Sequence, residues 1–395
     1  MHRSLLVQLR GFYLITGLSG GVLTPYLSLL LLHDGLSSNE VGEIMALGTL
    51  IAIAGQPIWG YLVDRFSLTR LTLSLSTLVP GVLAILYNSH WLLILALTSV
   101  LYNLFLTPQA PIADSYAVAF SRRTRTPYGT IRLFGSLGFA LGGYAGGFYL
   151  THFSMTSLWI PFATLGLAGA VLAFTFPKDS MQVGVGGSIS EGFKELVRDK
   201  RFLVFLAGGF LISQTLTAFN TYFAVTFRQM GGSLGMTGVA FLVASGTNVP
   251  AMMVAARMIS KLGREKTMFL AALAYIVRWG VQAFIPNPTV AIAIQVLHGL
   301  SFGLFYVAAV DFVSQSARRE LQATAQTIFG MVNGGLAGII GNLLNGDLLN
   351  YGGPGLMYGV CMTSAVMGAA CFAYVIKISP RSAGSETGSV PTISH

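Results

Sequence analysis

The chain has 395 residues, 53% of them hydrophobic and only 9% charged, with a mean hydropathy of +0.69. Soluble globular chains carry about 25% charged residues, so this surface cannot meet water all round and a set of two or three soluble domains is excluded. The formal net charge of +9 does not mark a nucleic-acid partner, because no basic run carries the aromatic interleaving of a single-strand-binding surface.

A membrane-spanning helix needs about 20 apolar residues. Twelve such segments follow one another, near 11–32, 41–63, 70–88, 91–119, 128–151, 157–176, 202–227, 236–258, 267–285, 289–314, 323–345 and 355–377. The first lacks a small-residue cleavage site and reads as a retained span, not a removed signal peptide. Both cysteines, Cys361 and Cys371, lie in the last segment, which argues against a disulfide framework. The expected fold is an all-α polytopic membrane protein of twelve transmembrane helices in two six-helix halves.

Charge orients these spans. Of the 23 Lys and Arg, 20 fall at the chain ends or in the even-to-odd loops, among them Arg65, Arg70, Arg122, Arg123, Arg125, Lys261 and Arg264. The positive-inside rule then places both termini in the cytoplasm, and an odd number of spans would spoil the pattern. The halves are expected at 1–176 and 202–379, with a cytoplasmic central loop at 177–201 and a disordered tail at 380–395. Within the loop, Val183–Ser188 is Gly-rich and Ile189–Lys200 suits an amphipathic helix on the membrane surface.

Two kinds of repeat link the halves. A basic turn follows the second span of each, Gly60 to Arg70 in one and Arg257 to Lys266 in the other. A 6+6 array with such a turn fits the parallel repeats of facilitator-type transporters. Gly60, Asp64 and Arg65 in the first turn suggest a conformational latch, with a solvated loop as the alternative. Glycine recurs every fourth residue at Gly138, Gly142 and Gly146, and again at Gly330, Gly334 and Gly338. Such stripes serve close helix packing, sliding during a conformational cycle, or both.

The sequence has no GxxxxGK[ST] loop, no HExxH, no Cys/His cluster with metal spacing and no GxSxG elbow. An enzyme is therefore not expected, nor is a cofactor or a metal. Energy would come from a gradient, and the intramembrane ionisable residues carry the most weight because a charge in the bilayer is costly. Asp114 ends a polar stripe with Asn103 and Thr107 on the fourth span, and Arg132 opens the fifth. At 1.5 Å per residue both lie about 8–11 Å in from one loop, so a pair is plausible, structural or functional. Arg278 and His298, on spans nine and ten, both lie about 12–15 Å deep. His298 can exchange a proton near physiological pH. Helix capping accounts for Glu40 after Ser37, and Asp311 reads as structural, with proton coupling as the alternative.

These residues resemble the lactose permease group of the major facilitator superfamily and its relative the phenylpropionate permease. The resemblance rests on Leu32-His33-Asp34, Gly42, Gln56-Pro57 to Gly60, and above all on Pro111 to Asp114, Ser121-Arg122-Arg123 and Gly129 to Gly138. It continues through Arg278, His298 and Gly346-Asp347. It implies that Asp114, Arg132, Asn248 and His298 bind a sugar-like solute and that Arg278 serves proton coupling. The chain departs from the group at Phe139, where a Trp is expected, and at Ser245 and Ser301, where acids are expected. Asn220 and Gln295 stand in for a charged pair.

The expected function is secondary active transport, a proton-coupled symport of a small polar solute such as a sugar or glycoside by alternating access. An organic anion or a nucleoside is the alternative solute. The expected substrate-binding residues are Asn103, Asp114, Arg132, Phe139, Asn220, Asn248, Arg278 and His298. Asp114, His298 and Arg278 are the coupling candidates. The expected partners are the solute, the proton and the lipid bilayer, with no nucleic acid and a functional monomer. The expected location is the plasma (inner) membrane of a prokaryote.

Overall fold

The computed structural model describes residues 2–177, 198–318 and 321–379, and the described residues are helical with short connections. Ten stretches are long and apolar enough to cross a membrane. One of them, 324–378, is two helices, because the backbone leaves helical geometry at Gly353 (φ 68°, ψ −167°) immediately before Pro354. A further helix, Gly129–His152, has 24 residues, about 36 Å at 1.5 Å each, and its seven glycines and Arg132 lower its hydropathy. Twelve spans result.

In chain order they are α1 (Arg3–His33), α2 (Ser38–Phe66), α3 (Thr69–Asn88), α4 (Leu92–Thr124), α5 (Gly129–His152) and α6 (Met155–Phe174). The second half continues with α7 (Lys200–Asn220), α8 (Leu234–Leu262), α9 (Arg264–Phe284), α10 (Pro288–Ser316), α11 (324–352) and α12 (354–378). Expected segment ends are extended by several residues, as at α4, which runs on to Thr124. The surface helix expected at 189–200 and the tail at 380–395 lie outside the described residues, apart from the helix's last three positions, of which Lys200 opens α7.

Local chemistry sets the helix starts and breaks. Ser37 and Glu40 form a reciprocal cap at the start of α2, the Ser37 amide donating to Glu40 Oε2 at 2.8 Å. Pro108 lacks an amide donor, and α4 breaks there before resuming at Gln109. α10 is interrupted by a wide turn at Gly299–Gly303, beside His298, of a kind frequent at functional sites. α7 breaks after Asn220 and resumes as a short helix at Phe223–Gln229.

Within the first half α1 packs closely on α5. A Cβ at Gly138 or Gly142 would drive into the carbonyl oxygens of Leu14 and Leu18. The second stripe differs, since Gly330 and Gly334 face open space. The two halves meet along α5 with α8 and α2 with α11. This seam is tight away from the termini: the Tyr222 hydroxyl donates to the Ser38 carbonyl at 3.4 Å, and the Ser28 hydroxyl donates to the Thr221 carbonyl. Toward the chain termini Gly60 on α2 and Gly246 on α8 have no neighbour near a Cβ position.

Candidate functional site

A cavity of about 380 Å³ lies between the halves, on the termini side of the tight seam. The kink of α4 at Pro108 puts Gln109 and Ala113 on its wall. The close α1–α5 contact brings Phe12, Tyr13 and Thr16 opposite Arg132, Ser136 and Phe139. From the second half come Phe219 and Asn220 at the end of α7, Ser245 and Asn248 on α8, and His298 and Phe302 on α10.

The wall of the first half centres on one ion pair. Arg132 Nε lies 3.4 Å from Asp114 Oδ1, and the Tyr13 hydroxyl donates to the same oxygen at 2.5 Å. The guanidinium also sits 5.6 Å from the Tyr13 ring centre. Asp114 is not itself among the wall residues, but its two partners, Arg132 and Tyr13, are. The Arg132 side chain is 45% exposed, so its charge is met at contact by a carboxylate while its remaining nitrogens stay open to a solute.

The second half is arranged otherwise. Arg278 is fully buried. Its Nε and Nη2 donate to Gln295 Oε1 at 3.2 and 2.7 Å, and Nη1 has no hydrogen-bond partner. Its guanidinium stacks 4.5 Å from the Phe219 ring centre and 4.7 Å from that of Trp279. No carboxylate pairs with it among the described residues. Cation–π contacts give on the order of 2 kcal/mol each when desolvated, which makes an acid-free guanidinium tolerable. His298 is buried against Phe219, ring centres 4.7 Å apart, and its Nδ1 has no partner; neither does Asn248 Oδ1. Both residues belong to the cavity wall.

Arg132, Phe139, Asn220, Asn248 and His298 thus share one cavity, and Asp114 is tied to it through Arg132 and Tyr13. Two expected residues do not reach it. The Asn103 amide donates to the Ser99 carbonyl at 2.9 Å and packs on Gly48, so it joins α4 to α2. Arg278 is sealed off by Phe219, and its partner is Gln295, not His298. Asp311 pairs with Arg264 at 3.5 Å, and neither is a residue of the cavity wall. Gly60 and Arg65 end α2 with Arg65 exposed; the Asp64 side chain lies outside the described residues. Sequence reasoning missed Phe12, Tyr13, Gln109, Phe219 and Phe302. A search for intramembrane charge passes over aromatics, and only the Pro108-Gln109 step signalled a change of helix face.

A twelve-helix, two-half membrane protein with a polar cavity between the halves is the architecture of a transporter. The MFS_1 like family matches residues 6–360, and the chain belongs to it, within the major facilitator superfamily. The chain is 30% identical to the uncharacterized transporter YwbF of Bacillus subtilis (strain 168), over 87% of its own length and 86% of the relative's. It is likewise 30% identical to the maltose permease of Geobacillus stearothermophilus, covering 90% and 91%. The crystal structure of the nucleoside transporter NupG shares the fold, with a TM-score of 0.81 over 95% of this chain and all of that one, at 16% identity. The protein is a multi-pass membrane transporter for a small molecule and not an enzyme.

Proposed function

We propose that this transporter is a proton-coupled symporter of a small, neutral, polar solute of the sugar or glycoside class, working by alternating access. The observation that carries the reading is the charge state of the cavity wall. Its one exposed cation is neutralised at contact by Asp114, and the other wall groups are amides, hydroxyls, an imidazole and aromatic rings. Asn248 Oδ1 and His298 Nδ1 lack partners, and a hydroxylated solute supplies the donors and acceptors such atoms need. The maltose permease relative agrees with this class. A ligand-stabilisation screen against sugars, nucleosides and aromatic acids tests it; melting raised by carboxylates alone would sink the sugar reading.

A small organic anion is the second reading. It is favoured by the open nitrogens of Arg132 and the five aromatic rings of the wall, Phe12, Tyr13, Phe139, Phe219 and Phe302.

Coupling needs a group whose protonation changes through the cycle and is linked to solute binding. Asp114 and His298 are the candidates, since Ser301 cannot titrate in the usable range; Arg278 would act on His298 through its field. Uptake driven by an imposed pH gradient, compared in the parent, Asp114→Asn and His298→Gln, tests this. Accumulation that survives both substitutions places the proton elsewhere.

The same reading sets both termini in the cytoplasm of a prokaryotic inner membrane, a monomer divided at the 177–201 loop, and a latch at Gly60, Asp64 and Arg65. The cavity would then open inward. Single cysteines at His33, His90 or His152 should label from outside intact cells and one at Arg123 should not; the reverse pattern overturns the orientation.

A further inference from the structure

Arg278 and the solute cavity are separated by one side chain. Phe219 lines the cavity with one part of its ring, and the guanidinium lies against it, Cζ 4.5 Å from the ring centre. His298 sits 4.7 Å from the same ring. The ring is not free to swing, because Phe223 and Phe241 pack on it at 5.2 and 5.1 Å. Behind it lies a fully buried cation with an unpartnered Nη1 and no paired carboxylate among the described residues. In front lies a wall that offers neutral groups alone from its half of the protein.

We propose that Phe219 determines the charge selectivity of this cavity: its ring keeps a solute from pairing with Arg278, and removing the ring would expose an anion site for a halide or a carboxylate at that guanidinium. The proposal rests on the reading of the cavity as the solute site. Two physical effects support it. The thickness of the ring holds any solute atom beyond hydrogen-bond distance of the guanidinium, so a direct charge-assisted pair cannot form. The face of an aromatic ring also carries negative quadrupole charge, which attracts the cation on one side and opposes an anion on the other. One wall thereby holds a permanent cation and still presents itself as neutral.

Trp279 supplies a readout that needs no knowledge of the solute. It is fully buried and touches the same guanidinium at 4.7 Å. With Trp59, Trp91 and Trp159 replaced by Phe, its fluorescence reports access to Arg278. Iodide and neutral acrylamide are compared as quenchers in this parent, in Phe219→Leu, which keeps the bulk, and in Phe219→Ala and Phe219→Val, which do not. The expected result is negligible iodide quenching in the parent and Leu proteins. It rises several-fold in the Ala or Val protein, by more than acrylamide quenching does, and the excess disappears when Arg278→Met is added. Equal gains for iodide and acrylamide mean a hole without an anion site and overturn the proposal. Strong iodide quenching in the parent does so too, since the ring would then be no barrier. Should the Ala protein fail to fold, the Val protein decides. A screen in which no solute stabilises the protein would sink the transport reading while leaving the quenching comparison as measured.

Discussion

Arg132 in the first half meets Asp114 at 3.4 Å on the rim of the cavity, while Arg278 in the second half lies between two aromatic rings with a glutamine amide on its fork. Both solve the problem of a permanent cation in a low-dielectric interior, by different physics. The first is neutralised by an opposite charge and stays exposed, leaving a strong local dipole that a polar solute can contact. The second is solvated by π faces and an amide, and is withdrawn from the solute. A buried arginine therefore does not by itself announce an anion site or an ion pair; its partners decide which.

The strongest way to break this comparison is to truncate Arg278. Arg278→Ala leaves a hole and strands Gln295 Oε1, and should lower stability by about 3–5 kcal/mol. Arg278→Met fills the space without charge and should melt near or above the parent protein. Equal losses in both, measured by thermal unfolding in detergent, would show that the charge stabilises and not the packing.

The glycine stripes sharpen the contrast between halves. Gly142→Ala forces α1 and α5 apart against backbone atoms and should cost about 1–3 kcal/mol. Gly334→Ala meets open space and should be neutral or gain up to about 1 kcal/mol of helix propensity. Similar melting points for the two variants would contradict the packing assigned to α1 and α5.

A double-mutant cycle tests the pairings directly. Asp114→Asn with Arg132→Gln should show coupling of about 0.5–2 kcal/mol, as touching residues do. Arg278→Met with His298→Gln should couple by less, because no hydrogen bond joins them and they interact only through the shared Phe219 ring and the arginine's field. Coupling in the second cycle as large as in the first would mean that the two side chains interact directly.

The smallest effect lies in the loop between α1 and α2. Asp34 Oδ2 is buried without a partner, and burial holds this carboxyl above its usual range, with His33 and His90 pulling it back. A carboxyl raised in the folded state favours the protonated form. It therefore costs stability as pH rises through its titration and costs nothing well below it. Asp34→Asn should stabilise slightly at neutral pH and leave the acid melting point unchanged; a loss at neutral pH would show that the charge is compensated.

Much of the site was legible because charge in a membrane is expensive and therefore conspicuous. Asp114 and Arg132 could be paired from their depths alone, and the capping of α2 followed from Ser37 and Glu40. The role of Arg278 was not legible. Depth placed it beside His298, but helical depth carries no rotation: its fork takes Gln295, and both it and the imidazole pack on Phe219. Asn103 failed for the same reason, since its face of α4 turns toward α2. Tyr13 and Phe302 gave no signal at all, because an aromatic in an apolar helix looks like any other core or lipid-facing residue until its neighbours are known.

The one-dimensional chain was enough for what composition, period and end chemistry control: membrane residence, twelve helices and two halves. These follow from the length of chain needed to cross hydrocarbon and from the cost of leaving backbone or charge unsatisfied there, and both are local quantities. Tertiary structure alone decided which side chains share the cavity, that the two glycine stripes serve different ends, and that one arginine is neutralised and the other shielded. Those outcomes depend on helix rotation and on contacts between residues a hundred positions apart, where a single ring changes what a charge can reach.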